Sequence, residues 1–205
     1  MTPGAGADDV VEAVFSIQAR TLPLDPAQPL QQALVAHCPW LALDAGVGIH
    51  PLKLMPSGGQ AAMVSQRTRL ILRVNLERAG ELCRLSGVEL DVAGHPLRLG
   101  DVHVRKLTAH ATVYAYRVAA ESADEAAFMQ SIAQELAAVA IVGERVCGKR
   151  NQLMLNGGVL DTFSLMVHGL APEQSLRLQM RGLGPHRLMG CGVFVPHKSA
   201  AAVGV

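Results

Sequence analysis

The sequence predicts an α+β fold built from two tandem ferredoxin-like (βαββαβ) units, residues 1–108 and 109–205, with a glycine-rich loop near the C-terminus. Three observations carry that prediction. Strand-like and helix-like patterns follow one another as strand, helix, strand, strand, helix, strand, and the same order returns in the second half without evident sequence identity. A chain of 205 residues that is 50% hydrophobic has enough apolar mass for one core or two small ones. The last predicted helix is joined to a short apolar run by a stretch rich in glycine, where the final connection of a second unit belongs.

The elements follow in order. VVEAVFSIQAR (10–20) is dense in apolar and β-branched residues and predicts a strand, and DPAQPLQQALVAHC (25–38) predicts a helix with an early proline and a stripe at Leu30, Leu34 and Cys38. GIHPLKLM (48–55) is expected as a strand entered through a turn. QRTRLILRVN (66–75) alternates basic and apolar residues with the period of a strand, which places Arg67, Arg69 and Arg73 on one face. LERAGELCRLSG (76–87) reads as a helix closed by Gly87, and residues 88–107 as a hairpin around Ala93-Gly94. In the second half, ATVYAYRVAA (111–120) is a strand, and 122–143 is a helix with a Ser-x-x-Glu capping box at Ser122 and Glu125. Residues 145–157 hold one or two strands, 161–170 another, 171–182 a helix with proline in its first turn, and GVFVP (192–196) the last strand.

Composition narrows the class. The longest apolar run, Leu136 to Val142, is far shorter than the roughly 18–20 residues that cross a bilayer, and the opening MTPGAGADD has neither the charged nor the apolar region of a signal peptide. A cytoplasmic protein without a membrane segment is expected. Cys38, Cys83, Cys147 and Cys191 are far apart, and no His, Cys or carboxylate cluster has metal-ligand spacing, so neither a disulfide framework nor a metal or other cofactor is expected. Eighteen Lys and Arg balance seventeen Asp and Glu, which argues against a non-specific polyanion binder. The distribution is uneven, however. Only Asp161 and Glu173 lie beyond Glu144, against Arg145, Lys149, Arg150, Arg177, Arg181, Arg187 and Lys198, a basic region compatible with phosphate contacts or with a solvated face.

Within that region, RGLGPHRLMGCGVFVP (181–196) places Gly182, Gly184, Gly190 and Gly192 around the pair His186-Arg187. Glycine serves positions with positive φ and places where another molecule approaches the main chain, and both readings stay open here. A ferredoxin-like pair ending in such a loop resembles the repeat-associated RNA-binding protein superfamily of CRISPR systems, and within it the CRISPR repeat-processing endoribonucleases. GVGIHP (46–51), QSLRLQ (174–179) and LGPHRLMGCGVFVP (183–196) are similar to the Myxan subtype. The resemblance spans essentially the whole chain.

The resemblance implies metal-independent cleavage of precursor CRISPR RNA beside a repeat hairpin, with the mature guide RNA retained and passed to other subunits of an interference complex. Aromatic residues are only 3% of the chain, so stacked bases would be poorly served and recognition would rest on backbone amides, basic side chains and RNA shape. The glycine loop would lie against RNA through Gly182, Gly184, Gly190 and Gly192, with His186, Arg187, Arg177 and Arg181 beside it. Arg67, Arg69 and Arg73, and Lys149 with Arg150, are further candidates for gripping a repeat stem.

Cleavage without metal needs the 2′-hydroxyl of the RNA itself as nucleophile, a group to move protons and a cation to steady the phosphorane. The resemblance places the catalytic histidine at or after the first helix, which leaves His37 and His50. His50, after Gly46-Val47-Gly48 and before Pro51, is expected at an exposed rigid junction as the general acid or base, with Lys53 on the same strand face as phosphate stabiliser. His37 is expected in a cap or core role, with catalysis the alternative. Two other readings remain: a subunit of the same fold that only holds guide RNA, and an unrelated enzyme on a common scaffold.

Overall fold

The computed structural model describes residues 10–57, 59, 61–155 and 157–197, and the MTPGAGADD segment and Lys198 lie outside the described residues. The chain divides into two compact units between Lys106 and Leu107. Among the described residues no helix is long and apolar enough to cross a membrane.

In the first unit, β1 (Val10–Gln18) is followed by β2 (Thr21–Pro23), α1 (Ala27–His37), β3 (Gly48–Ile49), β4 (Met55–Pro56), β5 (Ala61–Met63), β6 (Arg69–Asn75), α2 (Leu76–Leu82), β7 (Glu89–Val92) and β8 (His95–Lys106). The main sheet has the order β3-β6-β1-β8-β7. Taking β1, β3, β6 and β8 as the four strands of the motif gives the 2-3-1-4 arrangement that two interleaved βαβ units produce, with β7 added at the edge. Val11, Ala13 and Phe15 of β1 and Leu70, Leu72 and Val74 of β6 form one buried row, and Leu30, Leu34, Leu82 and Leu85 of the helical segments are buried with them. The β7–β8 hairpin turns at Ala93 and Gly94, both with positive φ, and Asp91 Oδ1 accepts the Gly94 N–H at 2.6 Å.

Residues 48–55 depart from expectation. Only Gly48–Ile49 pairs with β6, and the chain then leaves the sheet until Met55–Pro56 joins a small separate sheet of order β2-β5-β4. His50 and Lys53 therefore do not share a strand face. Pro51, which has no N–H, stands where a longer β3 would have to continue the ladder.

The second unit runs β9 (Thr112–Ala120), α3 (Glu125–Ala138), β10 (Glu144–Leu155), β11 (Gly158–His168), α4 (Pro172–Arg181) and β12 (Val195–Pro196). Its sheet order, β10-β11-β9-β12, is again 2-3-1-4. Val113, Ala115, Val118, Phe163, Leu165 and Val167 are buried with Phe128, Ile132 and Leu136 of α3, Leu178 of α4 and Phe194. Phe128 and Phe163 stack with ring centroids 4.8 Å apart. The cap of α3 is Asp124, whose side chain accepts from Ala126 and Ala127 N–H, so the expected Ser122/Glu125 capping box is corrected by two residues. The predicted last strand is shorter than GVFVP: Val193 and Phe194 are buried before pairing begins at Val195, opposite Tyr114.

Candidate functional site

Glu12 stands in the middle of an apolar strand and is buried. Its neighbours in register are Arg73 on β6 and Arg105 on β8, and Gly48 pairs with Arg73 on the far side, which brings His50 to the same face two residues later. One carboxylate gathers all three side chains. Oε1 accepts from Arg73 Nη2 at 2.6 Å and lies 3.0 Å from His50 Nε2, while Oε2 accepts from Arg105 Nε at 2.8 Å and Nη2 at 2.6 Å. Burial alone would raise the Glu12 carboxyl, but hydrogen bonds from His50 and Arg73 and the Arg73 charge hold it well below the usual carboxylate range. Burial pushes His50 down from its ordinary value, so the imidazole is neutral at pH 7 and its Nε2–H donates to Glu12. With that tautomer the 3.3 Å approach of Arg73 Nη2 to the same nitrogen is a packing contact.

Two expectations change here. His50 is buried in this cluster instead of lying at an exposed junction. Arg73 is 0% exposed and is not part of an outward cationic strand face with Arg67 and Arg69. Along one face of β6 Arg69 is exposed, Ile71 is half-buried and Arg73 is buried, and alternation in a sequence cannot tell a covered stretch of a face from an open one. Arg67 and Arg69 are exposed, the latter donating to the Gln66 and Thr68 carbonyls. Lys53 is exposed on the excursion after β3. His37, expected as a cap or core residue, is exposed in the last turn of α1, and the buried residue there is its neighbour Cys38.

The glycine loop is wound on itself. The N–H of Gly182 goes to Leu178, that of Leu183 to Gly192, those of Met189 and Cys191 to His186, that of Gly190 to Arg187 and that of Gly192 to the Arg117 carbonyl. Gly184 N–H goes to the Glu135 carboxylate. Gly182, Gly190 and Gly192 are buried with positive φ. A Cβ on Gly192 would strike the Leu183 carbonyl, and one on Gly182 would come within 2.5 Å of the Gly192 carbonyl. Arg187, expected to face RNA, is 8% exposed and donates to the Met180 carbonyl at 2.9 Å. These glycines and Arg187 build a tight turn, and the amides expected to meet a phosphate are already spoken for. What the loop offers outward is Pro185 and His186, the latter in a left-handed conformation, with Arg181 exposed at the end of α4.

The other basic candidates are exposed. Arg150 is bound to Asp161 on the neighbouring strand at 2.8 Å, Lys149 lies beside it, and Arg177 donates to the Val139 carbonyl at 3.1 Å. Among the described residues no group of three or more His, Cys, Asp or Glu side chains is placed to hold a metal ion.

Against known proteins, the Cas6 CRISPR family matches residues 11–199. The chain belongs to the Cas6 CRISPR family. It is 32% identical over 194 residues to the CRISPR-associated endonuclease Cas6 of Myxococcus xanthus (strain DK1622), covering 94% of this chain and 84% of that protein. Its fold is similar to that of a solved CRISPR-associated protein Cas6, at a TM-score of 0.66 with 9% identity over 93% of this chain and all of that one. It is also similar to Thermus thermophilus Cse3 bound to an RNA representing a pre-cleavage complex, at a TM-score of 0.50 with 12% identity, covering 91% of this chain and 98% of that one.

Two residues of this Cas6 family member escaped sequence reasoning, Glu12 and Arg105. Glu12 had a visible signal, a lone acid inside the run VVEAVF, where an unpaired carboxylate would be too costly to bury. Arg105 had none, because only the β1–β8 register puts it opposite Glu12.

Proposed function

We propose that this chain is a CRISPR repeat endoribonuclease that cuts precursor RNA by attack of the RNA's own 2′-hydroxyl, and that it keeps the mature guide RNA as a subunit of an interference complex. The observation that carries the reading is the family match over nearly the whole chain, together with the relative named as an endonuclease. In the reaction the 2′-oxygen bonds to the adjacent phosphorus, the P–O5′ bond breaks, and a 2′,3′-cyclic phosphate and a 5′-hydroxyl result. One proton leaves the nucleophile and one reaches the leaving oxygen, and no metal is required.

Of the two candidate histidines, we assign the proton transfer to His37. A general acid or base must come within hydrogen-bond reach of the substrate, and His37 is exposed whereas His50 is buried against Glu12. Lys53, exposed on the excursion after β3, is the cation proposed to steady the phosphorane. His50 holds β3 to the sheet through Glu12. The RNA grip is assigned to His186 and Arg181 at the loop, to Lys149 and Arg150 on the β10–β11 hairpin and to Arg67 and Arg69, with Arg177 as a lesser contact.

The test is single-turnover cleavage of a labelled cognate repeat. Cleavage is expected to persist in EDTA and to stop with a 2′-deoxy substitution at the cut site. Loss of activity in EDTA, or cutting of the deoxy substrate, would overturn the 2′-hydroxyl mechanism. His37→Ala is expected to slow the step by roughly 10²-fold or more with affinity changed less than tenfold. A folded His37→Ala protein that cuts at full rate returns the role to His50. Tight repeat binding without any cleavage by the unmutated chain would favour a guide-holding subunit.

A further inference from the structure

The Glu12 cluster is unbalanced in charge. Arg73 and Arg105 are both guanidiniums, which stay protonated in proteins, and one carboxylate serves both. His50 supplies no negative charge in either protonation state. Whatever the proton on His50 does, the cluster carries at least one excess positive charge. Arg73 is fully buried and bound at Oε1, so the excess appears at Arg105, whose side chain is 53% exposed.

The geometry adds direction. Arg105 meets Glu12 through its Nε–Nη2 edge, with both bonds to Oε2, which leaves Nη1 outside the ion pair. Holding one edge in a buried carboxylate orients the planar fork, and a guanidinium so fixed suits a second, phosphate oxygen better than a lysine on a free stem would. His103, two residues along β8 and opposite Val14, lies on the same face and is exposed. The next acid on the strand, Asp101, is four residues from Arg105, about 13 Å by strand rise, beyond the roughly 8–10 Å screening length at physiological salt.

We infer that Arg105 is a phosphodiester-contact residue for RNA, positioned by Glu12, on the face of the first sheet that carries His50 and His103. The inference rests on the RNA reading above and adds to it a residue that no sequence pattern singled out. As a backbone contact it carries affinity without choosing sequence.

The experiment measures binding of two labelled RNAs of equal length, the cognate repeat and an unrelated sequence, across a salt series by anisotropy. Arg105→Ala is expected to weaken both about equally, roughly tenfold, and to reduce the slope of log affinity against log salt by about 0.7–0.9, the value for one phosphate contact. Arg105→Lys keeps the charge and should keep the slope. Arg105→Gln, which retains a donor for Glu12, should lose the slope as the alanine variant does, and it serves if the alanine variant does not fold. An unchanged slope in folded Arg105→Ala or Arg105→Gln overturns the inference while repeat cleavage by the unmutated chain still stands. An unmutated chain that binds both RNAs equally and cuts neither overturns the repeat-nuclease reading, and the slope change then still supports Arg105. Failure of the unmutated chain to bind either RNA overturns both.

Discussion

Glu12→Ala is expected to destabilise the first unit by about 3–5 kcal/mol, the usual cost of removing one member of a buried ion pair. The Arg73 guanidinium is the reason. It is completely buried, its Nη2 lies 2.6 Å from Glu12, and the alanine variant would leave its charge in the interior without the carboxylate at its Nη2. Glu12→Gln should fall on the same side, since an amide can accept a hydrogen bond but does not neutralise the charge. Urea unfolding followed by circular dichroism measures the loss, and a change below about 1 kcal/mol would show that water or a rearranged partner compensates Arg73.

The same cluster sets an acid sensitivity. His50 is held neutral below its ordinary value, so as pH falls below about 6.5 the unfolded chain binds a proton there that the folded chain does not, and folding weakens. Glu12 has its folded value depressed, so its contribution is complete above the ordinary carboxylate value of about 4.3 and is lost as pH falls toward the folded one. Both act in one direction, and stability should rise with pH from 4 to 7. His50→Gln is expected to flatten the part between about pH 5 and 7. A urea midpoint independent of pH over that range in the unmutated chain would mean that His50 titrates normally.

Gly192→Val should prevent the second unit from folding, or cost it upwards of about 3 kcal/mol. A left-handed conformation costs an L-residue roughly 1–2 kcal/mol, more when the side chain is β-branched. Overlap with the Leu183 carbonyl comes on top of that, at a turn where Leu183 N–H and the Gly192 carbonyl are themselves hydrogen-bonded. Relief by local movement is blocked because Leu183 and Phe194 on either side are buried in the core. Expression, solubility and thermal unfolding of the variant decide it. A well-folded Gly192→Val protein that binds RNA poorly would instead restore the reading in which the loop amides meet phosphate.

The contrast between that loop and the rest of the chain shows what could be read early. The order of the main strands and helices was legible in both halves because it depends on local quantities, the apolar row of VVEAVFSIQ, the stripe Leu30-Leu34, the Ala93-Gly94 turn and Pro172 opening α4, whereas the small β2-β5-β4 sheet and the early end of β3 were not. The 2-3-1-4 sheet order follows from that succession once each βαβ connection has its usual hand. The candidate site was legible in part. The histidines, the basic C-terminal quarter and the glycines were visible as residues, but their exposures were not.

By itself, then, the sequence determined the succession of the main elements, the two-unit plan and the family resemblance, since each is carried by spacing along the chain. Tertiary structure alone decided which polar groups face inward. Arg69 and Arg73 share a strand face in the sequence pattern, yet Arg69 is exposed and Arg73 is buried because β1 brings Glu12 alongside it. Gly184 and Gly192 look alike in the loop, yet the carbonyl of Leu183 leaves no room beside Gly192. Burial of a charge or of a backbone amide depends on what partner the fold delivers from far along the chain, 61 residues away for Glu12 and Arg73, and no local pattern encodes that partner.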